Sequence, residues 1–137
     1  MIKNIIDLQK IRYPEEYKST YIYTYPSFNK ELENLISKSG YLEKFKSKYR
    51  SGLRFLENLK RNCIMQSNLF EQLKESDGLY SMKLKGEKNI RILFDFQIVN
   101  GKEAAIIYNC FQEKRTKDYS MEIKVAQSRR EEITDSL

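Results

Sequence analysis

Apolar side chains along this chain follow two rhythms, and the change between them divides it. In the C-terminal half the period is two. Tyr80, Met82 and Leu84 alternate with Ser81, Lys83 and Lys85, and Ile90, Ile92, Phe94 and Phe96 alternate with Arg91, Leu93 and Asp95. Successive side chains of a strand point to opposite faces, so 79–85 and 90–97 read as strands. Gly86-Glu87-Lys88-Asn89 supplies the turn between them. Asn100-Gly101 is a hairpin signal leading to a third strand, 103–111, whose two faces are both apolar and which therefore belongs in the middle of a sheet. Nearer the N-terminus, residues 20–25 are β-branched and aromatic throughout and stop at Pro26, which reads as one more strand.

Between these lies a period of three to four. Phe28, Leu32, Leu35 and Ile36 share one helix face, with Ser27 placed to cap its start and Gly40 to end it. Leu42, Phe45, Tyr49, Leu53, Leu56 and Leu59 mark a longer helix, and the two form an antiparallel hairpin lying across the sheet. Residues 62–78 are looser, with one helical turn expected at Leu69–Lys74, and residues 1–18 suggest a short helix ending near Pro14. Asp118 or Ser120 can cap a last helix carrying Met121, Ile123, Val125, Ala126 and Ile133. The pattern predicts a single α+β domain over 1–137: a small antiparallel sheet, an N-terminal helical hairpin on one face and a C-terminal helix. No repeat, low-complexity stretch or linker interrupts it.

Composition narrows the chemistry. With 137 residues, 40% apolar and 12% aromatic, the chain can bury a core unaided and is not of the disordered class. No run of about 18 apolar residues exists to cross a membrane. Lys3, Asp7 and Lys10 interrupt the opening apolar stretch, so no secretory signal is read there and a cytoplasmic protein is expected. Histidine is absent, which removes imidazole acid–base pairs and His-ligated metals. Cys63 and Cys110 are too few for a thiolate cluster and are expected as free, buried thiols. Neither cofactor nor metal is expected.

The formal charge is +6, and it is concentrated. Residues 41–62 hold seven basic and two acidic side chains, and residues 80–119 hold eight and five. Clustered cations fit a nucleic-acid or acidic-protein partner. If the helices cover one face of the sheet, Ser81, Lys83, Lys85 and Arg91 lie on an open one, edged by Lys114, Arg115, Lys117 and Tyr119. Cations from separate strands would then meet in one hollow, which suits RNA: cations contact phosphates and an aromatic ring stacks on an unpaired base. The basic face of 41–62, with Lys48 and Arg54, is a second candidate RNA contact, or the surface an acidic partner segment covers. Tyr21, Tyr23 and Tyr25 are expected to pack in the core and at the sheet edge.

Three stretches, taken in order, resemble the RelE/ParE toxin superfamily, most closely its HigB-like, phage-derived branch. They are LYSMKLKGEKNIRILFDF, AAIIYNCFQEKRTKDY and SMEIKVAQSRREE, the last with Glu122, Ile123, Ala126 and Arg129 in step. The resemblance covers about residues 20–135, is specific over 79–130, and leaves 1–19 as an N-terminal extension. It implies a toxin of a type II toxin–antitoxin system: an mRNA interferase, typically ribosome-dependent, neutralised by a HigA-like helix-turn-helix antitoxin. Cleavage in such enzymes is metal-independent, the ribose 2′-hydroxyl attacking the adjacent phosphate. On this chain the resemblance assigns Lys83 or Lys85 as the base, Arg91 and Lys114 as cations offsetting phosphate charge, and Tyr119 as the ring holding the nucleotide. Arg115, Lys117, Lys48 and Arg54 become RNA contacts. The chain departs from the pattern at Ser81, where a basic residue is frequent, at Glu113-Lys114, which replaces a basic pair, and in having no histidine. Two alternatives share the fold: a ParE-like inhibitor of gyrase, and a catalytically degenerate antitoxin-binding protein.

Overall fold

The computed structural model describes residues 7–136, with side chains through Ile133. Strand β1 (Ile22–Thr24) leads into α1 (Phe28–Ile36) and α2 (Leu42–Leu59), then a 3-10 turn (Lys60–Met65) and a short strand β2 (Phe70–Gln72). The meander β3 (Tyr80–Leu84), β4 (Ile90–Val99) and β5 (Lys102–Gln112) follows, and α3 (Asp118–Ser136) closes the chain. All strands join one sheet in the order β1-β5-β4-β3-β2. The class is α+β, as the pattern of the sequence implies, and β5 is internal as its two apolar faces require. The β4–β5 hairpin turns at Asn100 and Gly101, both with positive φ (51° and 79°), as a tight hairpin turn demands. Among the described residues, no helix is long and apolar enough to cross a membrane.

The sheet is mixed rather than antiparallel. β1 pairs parallel to β5, with Ile22 opposite Ala105 and Thr24 opposite Ile107. A parallel pair needs a long crossover, and everything from α1 to β4 supplies it. The helical turn expected at Leu69–Lys74 is instead the edge strand β2. Its Phe70 is buried edge-on to Phe94 (5.9 Å, 85°) while Glu71 and Gln72 stay exposed. One buried residue in three gives too little alternation to betray a strand. In the expected N-terminal helix, residues 1–6 lie outside the described residues, and 7–18 are not helical. Gln9 exchanges both backbone hydrogen bonds with Thr24 (3.0 and 2.7 Å), and the Asn29 side chain holds the backbone of Lys10 and Arg12 (3.1 and 2.9 Å). These extended-chain bonds replace helical ones.

Capping differs in detail. Ser27 precedes α1 but its hydroxyl donates to Glu31 (3.0 Å), not to a role at the helix end. Ser37, not Gly40, closes α1, its N–H donating to the Glu33 carbonyl (2.9 Å), and Ser39 follows with its N–H and hydroxyl both donating to the Ile36 carbonyl (3.0 and 2.8 Å). Asp118 begins α3, yet its carboxylate accepts the N–H groups of Lys114 and Arg115 (both 2.8 Å) and so caps the preceding turn.

Helices cover both faces, so the expectation of helices segregated to one face is corrected. Phe28, Leu32, Ile36, Phe45, Tyr49, Leu53 and Leu56 of α1 and α2 pack on Met82, Ile92, Phe94 and Ile107. On the opposite face Ala126 and Ile133 of α3 pack on Leu93, Ile106 and Tyr108. That second face is apolar over its centre, and burying it is favourable at roughly 25 cal/mol per Å². A lysine-lined open sheet is therefore not what this chain builds. One irregularity shapes what remains. Leu93 pairs with Asn109 but Phe94 with Ile107, so Tyr108 is an inserted residue. This bulge reverses the alternation of β5 and brings Phe111 to the α3 face, beside Arg91.

Candidate functional site

Where α3 begins, its face of the sheet is polar and cationic. There Lys83 of β3 stands opposite Arg91 of β4, and Arg91 stands opposite Phe111 of β5. Directly opposed residues hold their Cβ atoms about 5 Å apart, so these side chains form a row. Glu113, two residues past Phe111, completes it: its N–H donates to the Asn89 carbonyl (2.8 Å), and its carboxylate accepts from Arg91 Nε (2.9 Å). The Arg91 side chain is only 9% exposed, so the pair is largely shielded from water. Tyr119 of α3 sets its ring edge-on to Phe111 (5.1 Å, 88°), and its hydroxyl shares a hydrogen bond with Ser81 (3.1 Å). Burial raises the Tyr119 phenol above its ordinary value, opposed in part by the Ser81 bond and the Arg91 charge. A neutral donor is what that environment favours.

Beside this row, on the flank between α2 and β3, runs a groove of about 310 Å³. Lys48, Lys83 and Lys85 line it with Ser47, Ser51 and Asn68, and no carboxylate takes part. Lys83 Nζ donates to the Ser67 carbonyl (3.1 Å), which holds it at the groove edge. The Lys85 carbonyl accepts from Lys48 Nζ and from the Tyr41 hydroxyl (3.3 Å), tying β3 to α2. Three ammonium groups in one depression set a positive potential there.

The remaining sequence-predicted residues lie apart from that groove. Lys114 and Arg115 edge a different hollow, of about 470 Å³, with Leu35, Phe111 and Met121. Arg115 also pairs with Asp118 (3.5 Å), and Lys117 is exposed on the same turn. Arg54 faces the N-terminal arm, where its charge acts on the Tyr17 phenol. The expectation of one hollow collecting all the cations is thus corrected. Lys48, Lys83 and Lys85 come together, Arg91 and Tyr119 adjoin Lys83 across β3 and β4, and Lys114, Arg115 and Lys117 form a third group. Arg54 stands outside all three because its position on α2 turns it to the arm.

Glu113 entered the sequence only as a departure from a basic pair. Nothing in the alternation of β5 places it beside Arg91, because the bulge at Tyr108 is silent in the sequence. Ser47, Ser51 and Asn68 had no signal either, being ordinary polar surface residues. Cys63 and Cys110 are free. Burial pushes the Cys63 thiol up to about 11 and raises that of Cys110 too, which suits packing rather than nucleophilic work. Among the described residues, no three His, Cys, Asp or Glu side chains gather as a metal-binding group. The sequence matches no protein-family model and no curated protein.

Proposed function

We propose that this chain acts on RNA as a HigB-like member of the RelE/ParE superfamily. In this reading it is a toxin that cuts mRNA on the ribosome, in the cytoplasm, without a metal, and is restrained by a helix-turn-helix antitoxin. The observation that carries the reading is the groove of Lys48, Lys83 and Lys85, free of carboxylates, opening beside the Arg91–Tyr119 cluster. A polyanionic backbone can lie along the lysines, each contact releasing a counterion. In this reading the phosphodiester passes from Lys83 to its cross-strand neighbour Arg91, whose guanidinium offsets the charge that grows on phosphorus during 2′-hydroxyl attack. Tyr119 presents its hydroxyl on the same face, at Ser81, and Lys114 stands on the turn before α3 as a further phosphate contact in the neighbouring hollow.

The burial of Arg91 against Glu113 favours a second reading, in which the chain binds its partners without cutting, as an antitoxin-binding protein or a ParE-like gyrase inhibitor. Controlled expression followed by mapping of mRNA ends separates them. New 5′-hydroxyl ends that persist in EDTA and vanish in Arg91→Ala/Lys114→Ala support the endonuclease. Growth arrest with intact mRNA and blocked supercoiling would establish the gyrase reading instead.

A further inference from the structure

We propose that Glu113 is the general base of the cleavage and Lys83 the acid that protonates the leaving oxygen, an assignment that rests on the endonuclease reading above. Histidine is absent, so the proton must move through some other pair. The structure offers one in a suitable order. Lys83 stands opposite Arg91 on β3 and β4, and Glu113, just past the end of β5, bonds to Arg91 Nε from the other neighbouring strand. Neighbouring strands are about 4.8 Å apart, so Glu113 reaches Arg91 from the β5 side while Lys83 stands on the β3 side, its ammonium on the Ser67 carbonyl.

In-line attack needs that arrangement. The attacking and leaving oxygens lie on opposite sides of phosphorus, while the charged non-bridging oxygens project between them. Arg91 meets a non-bridging oxygen. Glu113, oriented by Arg91 Nε at 2.9 Å, takes the 2′-hydroxyl proton. The 2′-oxygen bonds to phosphorus, the bond from phosphorus to the 5′-oxygen breaks, and Lys83 gives that oxygen a proton. The products are a 2′,3′-cyclic phosphate and a free 5′-hydroxyl, with Glu113 protonated and Lys83 neutral until solvent exchanges the two. Lys83 is held for this by the Ser67 carbonyl at 3.1 Å, on the flank of the row away from Glu113. Only one Glu113 oxygen is bonded to Arg91, which leaves the other to meet the hydroxyl.

The test is single-turnover cleavage on ribosomes programmed with a defined mRNA. Glu113→Gln should slow cutting by about 10²–10⁴-fold, the usual worth of a positioned base, while affinity for a 2′-deoxy-substituted mRNA holds. Added formate should restore part of the rate to Glu113→Ala. Lys83→Ala should cut slowly on ordinary RNA and regain its rate on RNA with a bridging 5′-sulfur, a leaving group that needs no acid; Glu113→Gln should not. Glu113→Asp keeps a charge opposite Arg91, so slow cutting by a variant that melts like the wild type separates chemistry from folding. A Glu113→Gln variant that cuts at the wild-type rate, or binds more tightly and cuts faster, would make Glu113 a mere counter-ion and overturn the assignment. Sulfur that fails to rescue Lys83→Ala overturns the acid. A wild-type chain that cuts nothing removes the endonuclease reading, and this assignment with it.

Discussion

Arg129 of α3 grips Glu31 of α1 through both terminal nitrogens, at 2.7 and 2.5 Å, and donates from the first of them to the Tyr108 carbonyl at 2.7 Å. The two helices cover opposite faces of the sheet, and the guanidinium joins them around Tyr25, whose ring it overlies at 4.4 Å. This clasp fixes where α3 lies and therefore how much of the second face stays open at its first turn. Arg129→Ala should cost about 1.5–3 kcal/mol, the worth of charged hydrogen bonds in a partly buried site. Arg129→Lys should recover little, since one ammonium cannot span both oxygens. Urea unfolding of the two variants measures this; a loss within error of zero would mean that apolar packing alone seats α3.

Tyr49 carries a hydroxyl in the core with no hydrogen-bond partner among the described residues. Its ring stacks on Phe45 at 5.4 Å and does not need the oxygen. Burying an unpaired hydroxyl costs about 1–3 kcal/mol, so Tyr49→Phe should leave stability unchanged or raise it. A clear fall in the urea midpoint would show that the hydroxyl has a bonded partner in solution.

Two glycines test the α2–β3 flank. A Cβ at Gly86 would lie 2.6 Å from Tyr41 Cζ, a buried ring that also anchors the Lys85 carbonyl. A Cβ at Gly52 would meet only the Met82 side chain, 2.7 Å from its sulfur, and a thioether can move. Gly86→Ala should destabilise by about 1–3 kcal/mol through overpacking. Gly52→Ala should cost less, because alanine in mid-helix returns about 0.5–1 kcal/mol. Thermal melts that rank the pair the other way would contradict the packing described.

Asp95 is buried at the α3 interface, bonded to Tyr108 (2.7 Å), Gln97 (2.8 Å) and Arg130 (3.1 Å). Burial raises its carboxyl above the ordinary range, with those bonds pulling back in part. Between the ordinary value of about 3.9 and the raised one, the folded chain holds a proton that the unfolded chain has released. Asp95 therefore contributes stability that falls as pH rises through that window. The stability of the wild type relative to Asp95→Asn should rise as pH is lowered into it. Paired unfolding curves across acid pH check the slope, and a difference that is flat or of opposite sign refutes it.

Lysine contacts to a nucleic-acid backbone leave a mark on salt dependence. Lys48→Ala should weaken RNA binding for every sequence and lower the slope of log affinity against log salt by about 1. Arg54→Ala, turned toward the N-terminal arm, should leave that slope alone. Equal effects from both would place the RNA along the whole of α2 rather than in the groove.

The order of amino acids is enough for the elements whose period repeats often enough to read. Leu42 through Leu59 reads as an amphipathic helix, Tyr80–Leu84 and Ile90–Phe96 as strands, and Asn100-Gly101 turns the second of these into the next strand because both residues tolerate positive φ. It also determined the chemical stock: clustered cations and no imidazole. Tertiary structure decided the rest, because each remaining choice depends on a partner distant in the chain. The pairing of β1 with β5 makes the sheet mixed, Phe94 recruits Phe70 into an edge strand, and the apolar patch of Leu93, Ile106 and Tyr108 draws α3 over the second face. Above all, one inserted residue at Tyr108 reversed the alternation of β5 and set Glu113 against Arg91. A period of two carries no memory of which face it began on, so a single bulge settles which side chains meet.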